Sequence, residues 1–408
     1  MWDVRSERGR HLPAPIFSMI ANPRAERGTG VYSAPFADGA GVSDAALADI
    51  RAWPGYAPTS LHSLDMVVSE VGVSALYYKD EGERFEVKSF KPLGGGYAVV
   101  RILARAVAES DHTGVVDSKE LLSGRHRDTM AGVTVGCATD GNHGRAVAWA
   151  ARTFGCRAVV YLASHVSPKR EEAIAAFGAK VVRTGGNHDD AVRQAAGEAR
   201  VRGWDFVSQM ATATDPQIPN DILIGYSALF AEARDQLRDP PTHVFVQCGV
   251  GGLAAAGAAY HELVWGSERP VLIVVEAENA AGVYESIAAG ERISVTGPLE
   301  TLMGGLAAGE VSEAAWPLLE RGADFCVTIP DQAAVDTMRL LATRHPPIVG
   351  GEAGVAGLAA ALAVCRDDDA RRQLGLDAGS SILTIGTEGA TDPEAYEKLV
   401  GREGDSRI

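Results

Sequence analysis

The chain has 408 residues, 46% hydrophobic and 22% charged, which is enough for two or three domains and is the balance of a water-soluble protein with a large core. A net charge of −15, with only short and broken basic runs (GRHR at 124–127, ARR at 370–372), excludes nucleic acid and anionic membranes as partners. Five widely spaced cysteines without a C-x-x-C pair argue against a disulfide framework or structural zinc, and for a reducing, cytoplasmic setting.

In chain order, the first 55 residues or so, rich in Gly, Pro and Ala, read as a wrapping arm without the apolar core of a signal peptide. From residue 75 onward, short β-branched runs alternate with alanine-rich helical stretches. Strands are expected at 74–80, 131–139, 156–163, 179–185, 242–249, 270–277, 325–331 and 380–389. Their near-continuous apolar character predicts parallel sheets covered on both faces, an α/β fold built of βαβ units. One intervening helix is legible in detail: Ser167 caps it, Pro168 takes its first position, Glu171 and Glu172 lie in its first turn, and Gly178 ends it. No apolar run is long enough to cross a bilayer. The tail GREGDSRI is expected to fray. Grouping of the strands predicts a large domain of residues 1–104 and 216–408 and a small α/β domain of residues 105–215, with a ligand cleft between them.

Four loops that follow strands carry chemistry-bearing residues. The first, KSFKPLGGGYAV at 88–99, sets Lys91 among apolar residues and glycines. Buried, such an amine loses its proton readily and becomes a nucleophile; exposed, it merely snorkels to solvent. The triple glycine is expected to let the backbone close on a ligand. The second loop, CATDGNHGRAVAWAA at 137–151, turns through Thr139, Asp140, Gly141 and Asn142 into a helix, an arrangement that either aims polar groups at a ligand or simply caps the helix. The third, VQCGVGGLAAAGAAY at 246–260, is a strand, a glycine turn and a helix. This is a phosphate cradle of exposed amides at a helix N-terminus, without the acidic residue that a dinucleotide fingerprint expects. The fourth, LTIGTEGATD at 383–392, presents Thr387 after a late strand. An amine for an imine, amides for a phosphate and polar groups for a ring together suit pyridoxal 5'-phosphate. No His, Asp and Glu set has metal-ligand spacing, so no metal is expected.

The blocks RFEVKSFKPLGGGYAV, ATDGNHGRAVAWAA, IPNDILIGYSAL, QCGVGGLAA, GGEAGVAGL and IGTEGATD, in this order, resemble the signature of the 2,3-diaminopropionate ammonia-lyase family. These are fold-type II (tryptophan synthase β-like) pyridoxal phosphate enzymes, with two parallel-sheet α/β domains and the cofactor in the cleft between them. The resemblance runs from about residue 50 to 395. It implies a β-eliminating lyase that converts diaminopropionate to pyruvate and ammonia, with a small amino-acid substrate and a homodimeric state. A serine/threonine-type dehydratase or a β-replacement enzyme is the alternative. By the same resemblance, Lys91 holds the cofactor covalently, Asn142 faces its O3′, and Gly249, Val250, Gly251 and Gly252 cradle its phosphate. Thr387 meets the pyridine nitrogen, while Lys91 and Asp140 are the candidate bases for the Cα proton. Thr139, Lys88 and Met210 are expected near the substrate. Met210 departs from the family pattern, which places an acid there; Asp215 lies five residues on. Lys88 stands where the family shows a neutral residue, and Gly282 and Ala308 stand where relatives can carry cysteines.

Overall fold

A computed structural model describes residues 17–30, 34–112, 114–139, 141–210 and 216–401. Most of the first part of the expected arm, the tail beyond residue 401, Asp140 and Asp215 lie outside the described residues.

Among the described residues, eleven strands form two sheets: β1 (Ser18–Ala21), β2 (Leu61–Ser63), β3 (Ala75–Asp80), β4 (Thr134–Thr139), β5 (Arg157–Leu162), β6 (Lys180–Arg183), β7 (Asp205–Phe206), β8 (His243–Gln247), β9 (Val271–Ala277), β10 (Phe325–Ile329) and β11 (Ser381–Gly386). All eight strands expected from the sequence are present. The three others are short, and two of them, β1 and β2, are antiparallel edges whose few residues carry too little pattern to be read. The seven-stranded sheet has the order β1-β10-β9-β8-β11-β3-β2 and is parallel from β10 to β3. The four-stranded sheet, β6-β5-β4-β7, is wholly parallel. Parallel strands need helical crossovers, which bury both faces of each sheet. The helix Ala356–Val364 illustrates this: every residue is buried, so it is apolar all round and lies within the core of the large sheet.

Contacts divide the chain into two units. One holds the seven-stranded sheet (residues 1–32, 59–83 and 233–408); the other holds the four-stranded sheet (33–58 and 84–232). The strand-based boundaries at 104/105 and 215/216 differ from this division in three segments; one is 33–58, part of the expected arm, and the other two are 84–104 and 216–232. Both pack with the smaller sheet's unit because the Lys91 turn is wedged against the helix Gln217–Gln236 and the helix Asn142–Phe154. Arg84 and Glu232 anchor the same unit as a buried ion pair at 2.7 Å, and Tyr56 donates its hydroxyl to Glu232.

Order within the large sheet positions chemistry. Strands β8 and β11 are parallel neighbours, with Thr384 opposite Phe245. Their C-terminal ends, Gln247 and Gly386, therefore bring together two loops that are separated in sequence by well over a hundred residues.

Candidate active site

In the smaller sheet's unit, Lys91 closes a turn and has helical backbone angles (φ −55°, ψ −33°). Pro92 follows as the first residue of a π-type turn, Pro92–Gly96, that runs directly into the helix Tyr97–Asp111. A π-turn at this point is a local irregularity of the sort that collects at functional sites. The Lys91 Nζ donates to Gln209 Oε1 at 3.0 Å, and the same oxygen accepts from Tyr226 Oη at 3.2 Å. The amine lies 4.8 Å from the ring centroid of Phe90 and 5.8 Å from that of Tyr226, so two π-faces and one amide oxygen surround a half-buried amine. Burial holds the Tyr226 hydroxyl far above its ordinary pKa, so it stays protonated and donates. Gln209 and Tyr226 were not among the expected site residues. The only signal for Gln209 was a polar residue closing an apolar run next to Met210.

The structure gives the triple glycine a packing reason. A Cβ at Gly94 would overlap the Tyr226 ring, one at Gly95 would stand 3.2 Å from His143 Nδ1, and one at Gly225 would overlap the Leu93 carbonyl. These glycines let the Lys91 turn press against its own unit; a ligand is not needed to explain them. His143 is part of the same packing. Its Nε2 bonds to the Val207 carbonyl at 2.9 Å, and burial lowers its pKa to about 4, so the imidazole is neutral and Nε2 is the donor.

Thr139 is buried, and its Oγ1 accepts from the amides of Gly141 (3.0 Å) and Gly144 (3.2 Å). It thus caps the helix that Asn142 begins, and a Cβ at Gly144 would overlap Thr139 Cγ2. Asn142 is half-buried at the first position of that helix. Lys88 is exposed, with a left-handed φ of 55°, the conformation of a surface turn. Met210 is half-buried, and its amide donates to Ser208 Oγ at 3.1 Å.

In the larger sheet's unit, the end of β8 leads through Gly249-Val250-Gly251-Gly252 into the helix Gly252–Trp265. Gly251 has a φ of +100°, which an L side chain adopts only with strain, and a Cβ at Gly249 would stand 2.8 Å from the Gly305 carbonyl. The Val250 carbonyl accepts from Ser312 N at 2.8 Å, so the loop is held from behind while it lies at the positive end of a helix dipole. Cys248 is buried and donates to the Gly249 carbonyl at 3.4 Å, which makes it a packing residue. Thr387, one residue past β11, is buried, and its Oγ1 takes a hydrogen bond from Gln247 Nε2 at 3.0 Å.

Each feature matches one part of pyridoxal phosphate: an amine for the aldehyde, a glycine nest at a helix N-terminus for the phosphate, and a hydroxyl for the ring nitrogen. The residues fit the group.

Among the described residues, tertiary structure assembles one potential metal-ligand group that spacing did not show. His62, Asp80 and Glu83 bring one ligand atom each within 4.8 Å of one another. His62 and Asp80 already pair at 3.6 Å, and Glu83 accepts from Ser60 N, which accounts for the grouping as it stands. All five cysteines are free, and no described helix is long and apolar enough to cross a membrane.

Residues 52–388 match the family described as pyridoxal-phosphate dependent enzyme. Diaminopropionate ammonia-lyase of Escherichia coli K12 is 36% identical over 357 residues, covering 85% of this chain and 88% of that one. A crystal structure of the E. coli enzyme in complex with an aminoacrylate-PLP azomethine reaction intermediate superposes with a TM-score of 0.84 at 32% identity, over 95% of this chain and 97% of that one. A chloroplastic threonine dehydratase of Arabidopsis thaliana is 28% identical over 230 residues, 56% of this chain and 37% of the relative.

Proposed function

The chain belongs to the pyridoxal-phosphate dependent enzymes and, within them, to the diaminopropionate ammonia-lyases, and from that membership we propose that it converts 2,3-diaminopropionate and one water to pyruvate and two molecules of ammonia. The observation that carries the reading in the structure is the Lys91 amine, held half-buried by Gln209 against Phe90 and Tyr226. Conversion by a dehydratase of serine or threonine is the weaker reading, because the threonine dehydratases are less alike in sequence, at 28% identity over 56% of the chain or 24% over 94% of it.

Lys91 would hold the cofactor through its amine, which substrate binding would set free. When bound, the cofactor supplies an electron sink for the Cα carbanion. The freed Lys91 amine is one base for the Cα proton, and Gln209 Oε1 keeps its Nζ on a fixed line. Asp140 is the second candidate base. A β-nitrogen leaves as ammonia only if it is protonated, so the proton removed from Cα is best returned there. The enamine left behind hydrolyses to pyruvate and the second ammonia. The amides of Gly249, Val250, Gly251 and Gly252 would hold the phosphate, Asn142 would meet the ring oxygen, and Thr387 would meet the ring nitrogen. Thr139, its hydroxyl oxygen already used by two amides, shapes the loop that carries Asp140 and Asn142. Lys88, exposed, contributes long-range charge to the substrate's approach at most. Met210 is a thioether and moves no proton, so D- and L-diaminopropionate are processed at unequal rates.

The five free cysteines support a reducing, cytoplasmic location, and the resemblance supports a homodimer that light scattering would register at twice the chain mass. The decisive assay is pyruvate release from each enantiomer by protein loaded with the cofactor. Release from one isomer well above the other supports the reading. A loaded, borohydride-reducible protein that is silent on both isomers but turns over serine or threonine would replace it with the dehydratase.

A further inference from the structure

Gln247 closes β8 as the single polar residue of HVFVQ after His243, and its side chain is 3% exposed. Its Nε2 lies 2.8 Å from the Ile385 carbonyl, 2.9 Å from that of Gly354, 3.0 Å from that of Ala353, and 3.0 Å from Thr387 Oγ1. Three of these four neighbours are carbonyls, which only accept, so the amide nitrogen must face them and the group cannot be flipped. The other end of the amide, Oε1, has no hydrogen-bond partner among the described residues, so the side chain is held by its donor end alone. The amide nitrogen has two hydrogens for these four acceptors, so its donation is shared among them; it does not itself accept, so in its contact with Thr387 an N–H faces the threonine oxygen.

This fixes where the threonine proton is not. Among the described residues, the acceptor offered to it is the Ala353 carbonyl at 3.5 Å, beyond the usual O–H···O range and already served by Gln247. A buried hydroxyl whose oxygen is occupied and whose proton is unspent is a donor waiting for an acceptor.

We propose that Gln247 is a positioning residue: it sets the polarity of the Thr387 hydroxyl, so that Thr387 donates to the cofactor's ring nitrogen and keeps that nitrogen unprotonated. The inference rests on the assignment of Thr387 under the proposed function. It explains an amide at this position in place of a carboxylate or a hydrocarbon. A carboxylate would take the threonine proton, leaving a lone pair toward the ring that favours a pyridinium. A hydrocarbon would free Thr387 to donate to the carbonyls that Gln247 now satisfies, and the ring nitrogen would lose its donor.

The test is the ring-nitrogen chemical shift of ¹⁵N-labelled pyridoxal phosphate bound to the wild type, Gln247→Glu and Gln247→Met, with cofactor affinity measured in parallel. The wild type should show a neutral, hydrogen-bonded nitrogen between pH 6.5 and 8.5. Gln247→Glu should move the resonance to the protonated position. Gln247→Met should move it the opposite way, toward free pyridine, with cofactor binding about tenfold weaker for the loss of one hydrogen bond. A purely structural role would not move the two variants in opposite directions. A protonated nitrogen in the wild type, or one that stays put in both variants, overturns the proposal, as does failure of both variants to fold, which would make Gln247 structural. If Gln247→Glu alone fails to fold, the shift in Gln247→Met decides. Wild-type protein that binds no cofactor would instead refute the proposed function, a result distinguishable from all of these.

Discussion

Two glycine runs flank the chemistry of this chain, and they look alike only as letters. Gly94, Gly95 and Gly96 continue a helical turn with ordinary backbone angles, and what forbids a side chain at Gly94 is the Tyr226 ring. In the loop 249–252, Gly251 has a φ of +100°, and what crowds Gly249 is the backbone carbonyl of Gly305. The first run serves packing that sets Lys91 in place; the second serves a left-handed backbone turn at the head of a helix. The lesson is that a glycine's meaning lies in its neighbours and its φ, and neither is written in the run itself.

The largest expected effect belongs to the first run's product. Lys91→Ala removes the amine that Gln209 holds there, so borohydride should no longer fix cofactor to the protein and pyruvate release should fall to background. A reducible adduct that survives in this variant would put the covalent link on another lysine. Next, Gly94→Ala should destabilise the protein by about 1–3 kcal/mol through overpacking against Tyr226, read by urea unfolding. Gly251→Ala, strained by about 1–3 kcal/mol in a loop proposed to bind phosphate, should in addition weaken cofactor binding, read by dialysis and absorbance. If the two variants lose cofactor affinity in equal measure, the two runs do not differ as argued.

The two units also predict opposite pH slopes. His143 has its pKa lowered by burial from 6.5 to about 4, so the unfolded chain takes up a proton that the folded chain refuses. Its contribution to stability is complete above pH 6.5 and is lost as pH falls from there toward 4. Glu276, at the end of β9, has its pKa raised by burial from 4.5 to about 7, although it accepts from the amides of Val283 and Tyr284. Here the folded chain keeps a proton that the unfolded chain sheds, so stability is lost as pH rises from 4.5 toward 7. Each slope amounts to a few kcal/mol across its window. Melting curves of His143→Gln and Glu276→Gln against the wild type should therefore diverge with pH in opposite senses; divergence in the same sense would remove one of the two burial arguments. The smallest effect is that of Tyr226→Phe, which loses the second donor to Gln209 Oε1, at about 0.5–1.5 kcal/mol in stability with a change in the pH dependence of pyruvate release.

Much of this was legible in the sequence. Period and β-branching located every long strand, because a strand covered on both faces must be apolar throughout, and that condition is local. The cap at Ser167 and the glycine turn into a helix at 249–252 were local too, and Ser167 accepts from Arg170 N as expected. Lys91 stood out because an amine in an apolar, glycine-rich turn is a chemical anomaly within a dozen residues.

What remained hidden depends on distance along the chain. Gln209 and Tyr226 reach Lys91 from more than a hundred residues away, and Gln247 reaches Thr387 from as far. The three strands missed were short edges, and the contact division groups the Lys91 turn with the smaller sheet through its steric fit against Tyr226 and His143. Composition and periodicity decided which segments become strands and helices, since backbone hydrogen bonding and burial act on neighbours. Tertiary structure alone decided which donor faces which acceptor, because a hydrogen bond of about 3 Å is specified by the packing of whole elements.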